Sequence, residues 1–407
     1  MIHDPVALVG VILATGLVAR AIADALRIPE VLFLLGAGVL LGPSVLGLVR
    51  LQPDDRAVGV VFTLGVGAIL FGGGMALSLP VLNRVRRTLL ALAIPGVLLT
   101  AAIVGAAGHH LLGLPWEVAL LAGAVLSPTD PAILIPLLLR TRIRPKVVQT
   151  LVGESALNDP TGAVLALAVA GAAAGHADVL APMGDFAGSL ILSTLAGALV
   201  GGVLAVAIST HPAGLWRASA PVVLICLLGL TVAGLNAVGA SGYLGCFVAG
   251  LIAGNARLLR IEVHADHDHQ LRSFAEAAAD TVTMLVFLLL GASLPLAAIA
   301  DDPWPPILLV AVLMLVARPI AILACTAGDR SAAWTRGELA FLCWSRETGV
   351  VPAALVGILA ARGVPGSELL AGAVGVAVVA TVVFQALPAA RLARALGLDR
   401  EATPTSG

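Results

Sequence analysis

Apolar residues run through this chain in blocks of about twenty, and short polar connections separate the blocks. A helix of about twenty apolar residues spans the ~30 Å hydrocarbon layer of a bilayer. Thirteen such stretches are legible, at roughly 5–23, 31–48, 57–76, 88–113, 117–138, 147–173, 184–209, 219–237, 241–257, 277–299, 305–327, 337–361 and 368–393. The pattern predicts an all-α polytopic membrane protein with about thirteen transmembrane helices. Two stretches are interrupted near their middles by polar residues and prolines. One carries Ser127-Pro128-Thr129-Asp130-Pro131, and the other Ser345-Arg346-Glu347-Thr348-Gly349 followed by Pro352.

Composition agrees with that reading. Of 407 residues, 59% are hydrophobic and 12% charged, against about 25% charged in an ordinary globular domain. The net charge of −1 points to no partner, but the placement of the cations along the chain is informative. With the connections assigned alternately to two sides, 18 of the 23 Lys and Arg fall on one side. Arg50, Arg56 and Arg362 fall on the other, and Arg318 and Arg346 lie within stretches. The positive-inside rule then places the N-terminus outside and the C-terminus in the cytoplasm of a cell membrane. No cationic segment precedes residues 5–23, which therefore read as a retained helix rather than a cleaved leader. Cys226, Cys246, Cys325 and Cys343 all fall within stretches and predict no disulfide framework. The tail of about a dozen residues predicts no soluble regulatory domain.

An odd number of crossings fits two inverted six-helix repeats joined by one connecting helix, a common transporter plan. The fifth stretch then corresponds to the twelfth, and these are the two interrupted ones. No residue identity links the halves, so the repeat rests on layout. Backbone freed at membrane depth must line a cavity or be buried in protein, and paired interruptions point to a binding site. Crossed half-helices present partial positive charge at their N-termini and negative charge at their C-termini. Asp130 can balance the first and Arg346 the second. Dipole compensation alone accounts for both residues; direct contact with an ion is the other reading.

Asp130, Glu154, Asp159 and Glu347 are acids in otherwise apolar stretches, with Arg318 and Arg346 as the bases. A charge near the bilayer centre costs at least ~2.5–3.5 kcal/mol, so such groups read as functional. The sixth stretch runs Gly153-Glu154-Ser155-Ala156-Leu157-Asn158-Asp159-Pro160-Thr161-Gly162. At helical spacing Glu154 stacks under Asn158 and Ser155 under Asp159. A hard cation such as Na⁺ takes oxygen ligands; Asp159, Ser155, Thr129 and a freed carbonyl near Pro128 supply a candidate set. A carboxylate shielded from water holds either a proton or a metal ion, and that competition, coupled to alternating access, is antiport. Asn158 beside Asp159, in place of a second acid, predicts one charge exchanged for one. Glu154 reads first as the structural partner of Arg318, since breaking a buried pair costs ~3–5 kcal/mol; ion ligation is its second reading. Glu347 is adjacent to Arg346, and the sequence does not decide whether they pair.

At these residues the chain resembles a known family. Gly153 through Asp159 is similar to the "ESLLND" motif of the cation:proton antiporter-1 family, the NhaP and eukaryotic sodium/proton exchanger group. Leu126-Ser127-Pro128-Thr129-Asp130-Pro131 resembles its "TDP" unwound segment. Further similar stretches are Ile28-Pro29-Glu30 to Leu41-Gly42-Pro43, Gly242-Tyr243-Leu244 to Phe247-Val248-Ala249-Gly250, Ala317-Arg318-Pro319, and Thr381-Val382-Val383 through Gln385. They cover nearly the whole chain in order. The resemblance implies a thirteen-helix inverted-repeat fold in one transmembrane transporter unit and a homodimer in the lipid bilayer. It implies a mobile core domain (about 88–173 and 305–393), a dimerisation domain (about 1–80 and 219–299) and a linker helix (184–209). The implied activity is exchange of Na⁺ or Li⁺ for protons, with no enzymatic reaction, no resident cofactor and no nucleic-acid partner. In the family the Asp matching Asp159 carries the ion, helped by groups matching Thr129, Ser155 and Glu154, and the acid matching Glu154 pairs with an arginine matching Arg318. Two positions depart from the pattern. Pro160 replaces the usual Gly or Ala, as in some potassium-handling relatives, which keeps K⁺/H⁺ exchange open. Arg346 is separated from Gly349 by Glu347 and Thr348, where the family often has Arg directly before Gly.

The remaining features have plainer readings. His264-Ala265-Asp266-His267-Asp268-His269 reads as a solvated cytoplasmic turn, with pH sensing or metal binding as the alternative. His109 and His110 read as interfacial, and Gly72-Gly73-Gly74 as a helix-packing surface rather than a nucleotide loop, since no strand precedes it. An intramembrane aspartyl protease would need a buried Gly-Asp motif, but Gly184-Asp185 and Gly328-Asp329 lie near stretch ends. A passive cation channel would need a continuous polar path, whereas the polar groups cluster at one depth.

Overall fold

Each of the thirteen apolar stretches holds helix in the computed structural model. It describes residues 5–26, 28–48, 56–77, 79, 85–130, 143–173, 181–209, 216, 219–259, 261–263 and 265–398. In chain order the helices are α1 (Pro5–Leu26), α2 (Glu30–Leu41), α3 (Arg56–Ala76), α4 (Arg86–Leu112), α5 (Trp116–Leu126), α6 (Pro145–Ala173) and α7 (Ala181–Ala207). They continue as α8 (Ala220–Ala237), α9 (Gly242–Gly254), α10 (Ala265–Ser293), α11 (Trp304–Thr326), α12 (Arg336–Trp344), α13 (Val350–Ala361) and α14 (Ser367–Ala395). Beside them, among the described residues, are a short helix at Leu296–Asp301, 3-10 turns at Ala256–Leu259 and Arg330–Ala332, and one isolated bridge between Ser209 and Val263. Among the described residues, seven helices are long and apolar enough to cross a membrane, and five shorter apolar ones accompany them. The chain is a multi-pass membrane protein.

Close helix approach is built on small residues. A Cβ on Gly38 of α2 would strike the Leu288 carbonyl of α10, and one on Gly291 would strike the Leu35 carbonyl in return. Gly74 of α3 and Gly250 of α9 are reciprocal in the same way, each against the other helix's backbone. Within the Gly72-Gly73-Gly74 run only Gly74 makes such a contact; open space surrounds the other two. Phe71, Phe247 and Phe287 are fully buried nearby.

Among the described residues, three helices contain a π turn: Leu92–Gly96 in α4, Leu313–Ala317 in α11 and Val382–Ala386 in α14. Each has a proline in or just beyond it (Pro95, Pro319, Pro388), whose missing N–H breaks the α-helical ladder locally. α4 and α11 are counterparts in the inverted plan, and both carry the distortion.

Two sequence expectations need correcting. The segment 265–269, read as a turn, is the first turn and a half of α10. Its polarity hides it from a hydropathy window, yet Asp266 and Asp268 suit a helix N-terminus, and Asp268 pairs with Arg272 at 3.0 Å, one turn on. No cluster of three or more His, Cys, Asp or Glu fit for a metal occurs among the described residues. The second stretch leaves helix at Leu41, seven residues early, where Gly42 and Pro43 turn the chain and Gly47 takes a left-handed φ of 62°. The second half of the fifth stretch, with Pro131, lies outside the described residues.

Candidate functional site at the helix crossing

α5 ends at Leu126 and leaves 127–130 irregular; α12 ends at Trp344 and leaves 345–349 irregular before α13. The two interruptions meet. The Asp130 amide donates to the Glu347 carbonyl at 3.1 Å, and the Asp130 carboxylate accepts from the Val350 amide at 3.3 Å, in the first turn of α13. Arg346 Nη2 donates to the Leu126 carbonyl and, at 3.2 Å each, to those of Ser127 and Pro128. An anion thus lies at a half-helix N-terminus and a cation at a C-terminus, where unsatisfied backbone groups collect. A Cβ on Gly349 would fall on the Asp130 carboxylate, so only glycine fits there.

α6 packs against the first break through Gly162, whose Cβ would overlap the Pro128 ring. The Asn158 side chain binds Thr129 twice, accepting from its amide at 3.2 Å and donating to its hydroxyl at 2.8 Å. Ser155 Oγ donates to the Thr129 carbonyl at 2.5 Å. Thr129 is therefore held at three atoms by one face of α6. Asp159 completes that face. It is 7% exposed, and its Oδ1 has no hydrogen-bond partner among the described residues. Pro160 lies inside α6 and cannot donate to the Ala156 carbonyl, which frees one more oxygen in the turn that carries Asp159. Carboxylate, hydroxyl and carbonyl oxygens form a donor set suited to a hard cation.

Glu154, on the same helix, has different surroundings. Arg318 grips both of its carboxylate oxygens, through Nη1 to Oε1 and through Nη2 to Oε2 at 3.0 Å. The guanidinium also donates to the carbonyls of Leu342 (3.0 Å) and Ser345 (2.8 Å), satisfying the frayed end of α12. Both side chains are buried. The π turn of α11 ends at Ala317 and so sets the position from which Arg318 reaches across.

Two features were not legible as site components in the sequence. Thr381 of α14 accepts from the Thr348 amide at 3.1 Å and so ties α14 to the second break. The signal was a hydroxyl and a carboxamide four residues apart, Thr381 and Gln385, spaced like Ser155 and Asp159. Where α4 begins and α11 ends, Asp329 accepts from the Thr88 amide (3.2 Å) and hydroxyl (2.8 Å), Ser331 Oγ (2.5 Å) and the Ala332 amide (3.2 Å). Burial raises the Asp329 pKa, but these bonds from Ser331, Thr88 and the Ala332 amide outweigh it and hold the carboxyl below its ordinary 3.8. Lys146 pairs with Glu338 at 2.8 Å and lies 4.2 Å from the Trp334 ring centre. These contacts, spread along the sequence, join α4, α6 and α12. At the other end of α4, His109 stacks on Trp116 at 4.1 Å and donates through Nδ1 to the Leu114 carbonyl at 2.8 Å.

Comparison with known proteins places this architecture. A family profile described as "Sodium/hydrogen exchanger, transmembrane" matches residues 10–394. The chain is 30% identical over 365 residues to Na⁺/H⁺ antiporter 1 of Methanocaldococcus jannaschii, covering 85% of this chain and 81% of that one. It is 28% identical over 408 residues to the K⁺/H⁺ antiporter NhaP of Alkalimonas amylolytica, covering 98% and 68%. The solved structure of the sodium proton antiporter MjNhaP1 from M. jannaschii at pH 8 superposes with a TM-score of 0.79 at 24% identity, over 96% of this chain and 98% of that one, and has the same fold. Matched along nearly its whole length, this chain belongs to the transmembrane sodium/hydrogen exchanger family.

Proposed function

We propose that this protein is a secondary antiporter that exchanges a monovalent cation for a proton across a cell membrane by alternating access. One observation carries the reading: a buried carboxylate oxygen, Asp159 Oδ1, stands without a partner among the described residues where two interrupted helices cross. Burying such an oxygen unsatisfied is costly, and either a proton or a cation relieves it. Asp159 holds the exchanged species, with Ser155 and the carbonyl and hydroxyl of Thr129 as further ligands to Na⁺. Asn158 fixes Thr129, Asp130 and Arg346 compensate the half-helix dipoles beside Glu347, and Glu154 with Arg318 is scaffold. Na⁺ or Li⁺ is the first reading of the cation. K⁺ is the second, favoured by Pro160 and by the K⁺/H⁺ activity named for the A. amylolytica relative. Neither substrate requires a resident cofactor.

The same proposal includes thirteen crossings with the N-terminus outside and the C-terminus in the cytoplasm, from the 18 to 3 split of loop cations. It includes a homodimer built on residues 1–80 and 219–299, with a core of 88–173 and 305–393 that moves against it and 184–209 as linker. The ties among α4, α6 and α12 support a core that moves as one body.

The test is transport by the purified chain in proteoliposomes loaded with a pH-sensitive dye. Na⁺, Li⁺ and K⁺ are added singly, and at least one is expected to dissipate an imposed pH gradient. No response to any of the three ends the proposal. Conductance without coupled proton movement identifies a channel instead.

A further inference from the structure

The two breaks differ in charge but are supported in the same way. On α6, Ser155 and Asp159 stand four residues apart and face the first break at Thr129. On α14, Thr381 and Gln385 stand four residues apart, and the Thr381 hydroxyl holds the second break at the Thr348 amide, 3.1 Å away. In the inverted plan the sixth stretch corresponds to the thirteenth and the fifth to the twelfth, so the two pairs stand on corresponding helices, each beside a corresponding break. Where the first site has a carboxylate, the second has a carboxamide.

The second break also holds unused polar atoms. Gln385 and Thr348 are each 2% exposed and Ser345 is fully buried. Gln385 Oε1, Thr348 Oγ1 and Ser345 Oγ have no hydrogen-bond partner among the described residues. Native interiors rarely keep such atoms unsatisfied. A buried water needs two to four polar partners and settles where an interior offers them. The formal charges of this segment, Arg346 and Glu347, sum to zero, so a neutral ligand suits it better than a cation. The π turn Val382–Ala386 includes Gln385, and π turns frequently accompany functional sites.

We propose that the second break is a neutral, hydrated counterpart of the Asp159 site, with water bound between Gln385 and Thr348. The amide at Gln385 keeps the exchange to one charge per cycle. The inference rests on the antiport reading above and deepens it.

The principal test is Gln385→Glu in proteoliposomes, read as the cation gradient that balances a fixed pH gradient. It is measured at zero and at about −100 mV, with the potential set by an ion the protein does not carry. The parent is expected to show no shift. The variant, with a second acid to titrate, is expected to shift by about 50-fold, the equivalent of one charge crossing 100 mV. A parent that exchanges none of the three cations defeats the antiport reading; a parent that exchanges, with an unshifted variant, defeats this one. If Gln385→Glu does not fold, two measurements still decide. High-resolution density of the parent is expected to show water at Gln385 and Thr348, and a dry site overturns the proposal. Gln385→Leu is expected to lower Tm by removing the water's partner. A higher Tm would mean that the amide was unsatisfied and the site dry, which also overturns it.

Discussion

Glu154 and Asp159 lie five residues apart on α6, and their surroundings divide their roles. Arg318 engages both Glu154 oxygens, while one Asp159 oxygen has no partner among the described residues. Asp159→Asn keeps the shape and removes the titrating charge. We expect folded protein, judged by its Tm and elution profile, with cation-driven proton movement lost in dye-loaded vesicles. Substantial remaining exchange would move the ion site elsewhere. Glu154→Ala and Arg318→Ala should instead lower Tm, since breaking a buried pair costs ~3–5 kcal/mol. The arginine variant should suffer more, because it also strands the Leu342 and Ser345 carbonyls. If both variants match the parent in stability and only ion affinity changes, the pair is no scaffold. At this scale the sequence was informative where residues share a helix. The spacing of Glu154, Ser155, Asn158 and Asp159 alone places them on adjoining rows of one helix. It could not show that Asn158 would be spent on Thr129, because that contact joins residues 29 positions apart through tertiary packing.

At the scale of elements, the crossing depends on what is missing as much as on what is present. Gly349 has no side chain because Asp130 occupies the space a Cβ would need. Gly349→Ala must displace the carboxylate from the Val350 amide, at an overpacking cost of ~1–3 kcal/mol. We expect a lower Tm together with slowed exchange; a variant with parental Tm and rate would show that the two breaks do not bear on each other. The interruptions themselves were legible, since proline and polar residues inside apolar stretches can hardly mean anything else. The helical start of α10 was not, because its polar residues read as a solvated turn, although Asp266 and Asp268 suit a helix N-terminus. The Asp329 cluster was invisible for a different reason: Ser331 and Ala332 are local, but Thr88, which the cluster ties to them, lies 241 positions away. Hydrogen bonding lowers the folded pKa of Asp329 below 3.8, so its stabilising contribution is complete above that value and fades as pH falls through the folded pKa. Asp329→Asn should therefore have a lower Tm than the parent at neutral pH, and the gap should close only below pH 3.8. A gap that persists unchanged in stronger acid would mean that the charge contributes nothing.

For the whole molecule, the question is how many charges the moving unit carries. The layout of apolar stretches and loop cations was readable because the bilayer imposes length and charge rules on every crossing. The number of titrating groups is a property of the assembled crossing, and only there can it be counted. Glu154 is neutralised by Arg318. Asp130 is bound to the α13 N-terminus, and Asn158 carries no charge. Glu347 is buried beside Arg346, and the two formal charges sum to zero. On the proposed reading Asp159 is the acid that changes occupancy between proton and cation, and the unit would then carry the same charge on the outward and inward journeys. A membrane potential does no work on such a cycle, whereas one uncompensated charge would gain or lose ~2.3 kcal/mol at 100 mV. We therefore expect the parent's exchange rate to be the same with the potential clamped at zero and at about −100 mV, across a pH series that spans its active range. A rate that follows voltage would require a second group to titrate during transport, and the acids bound by Arg318 and by the Val350 amide would be the first to replace singly.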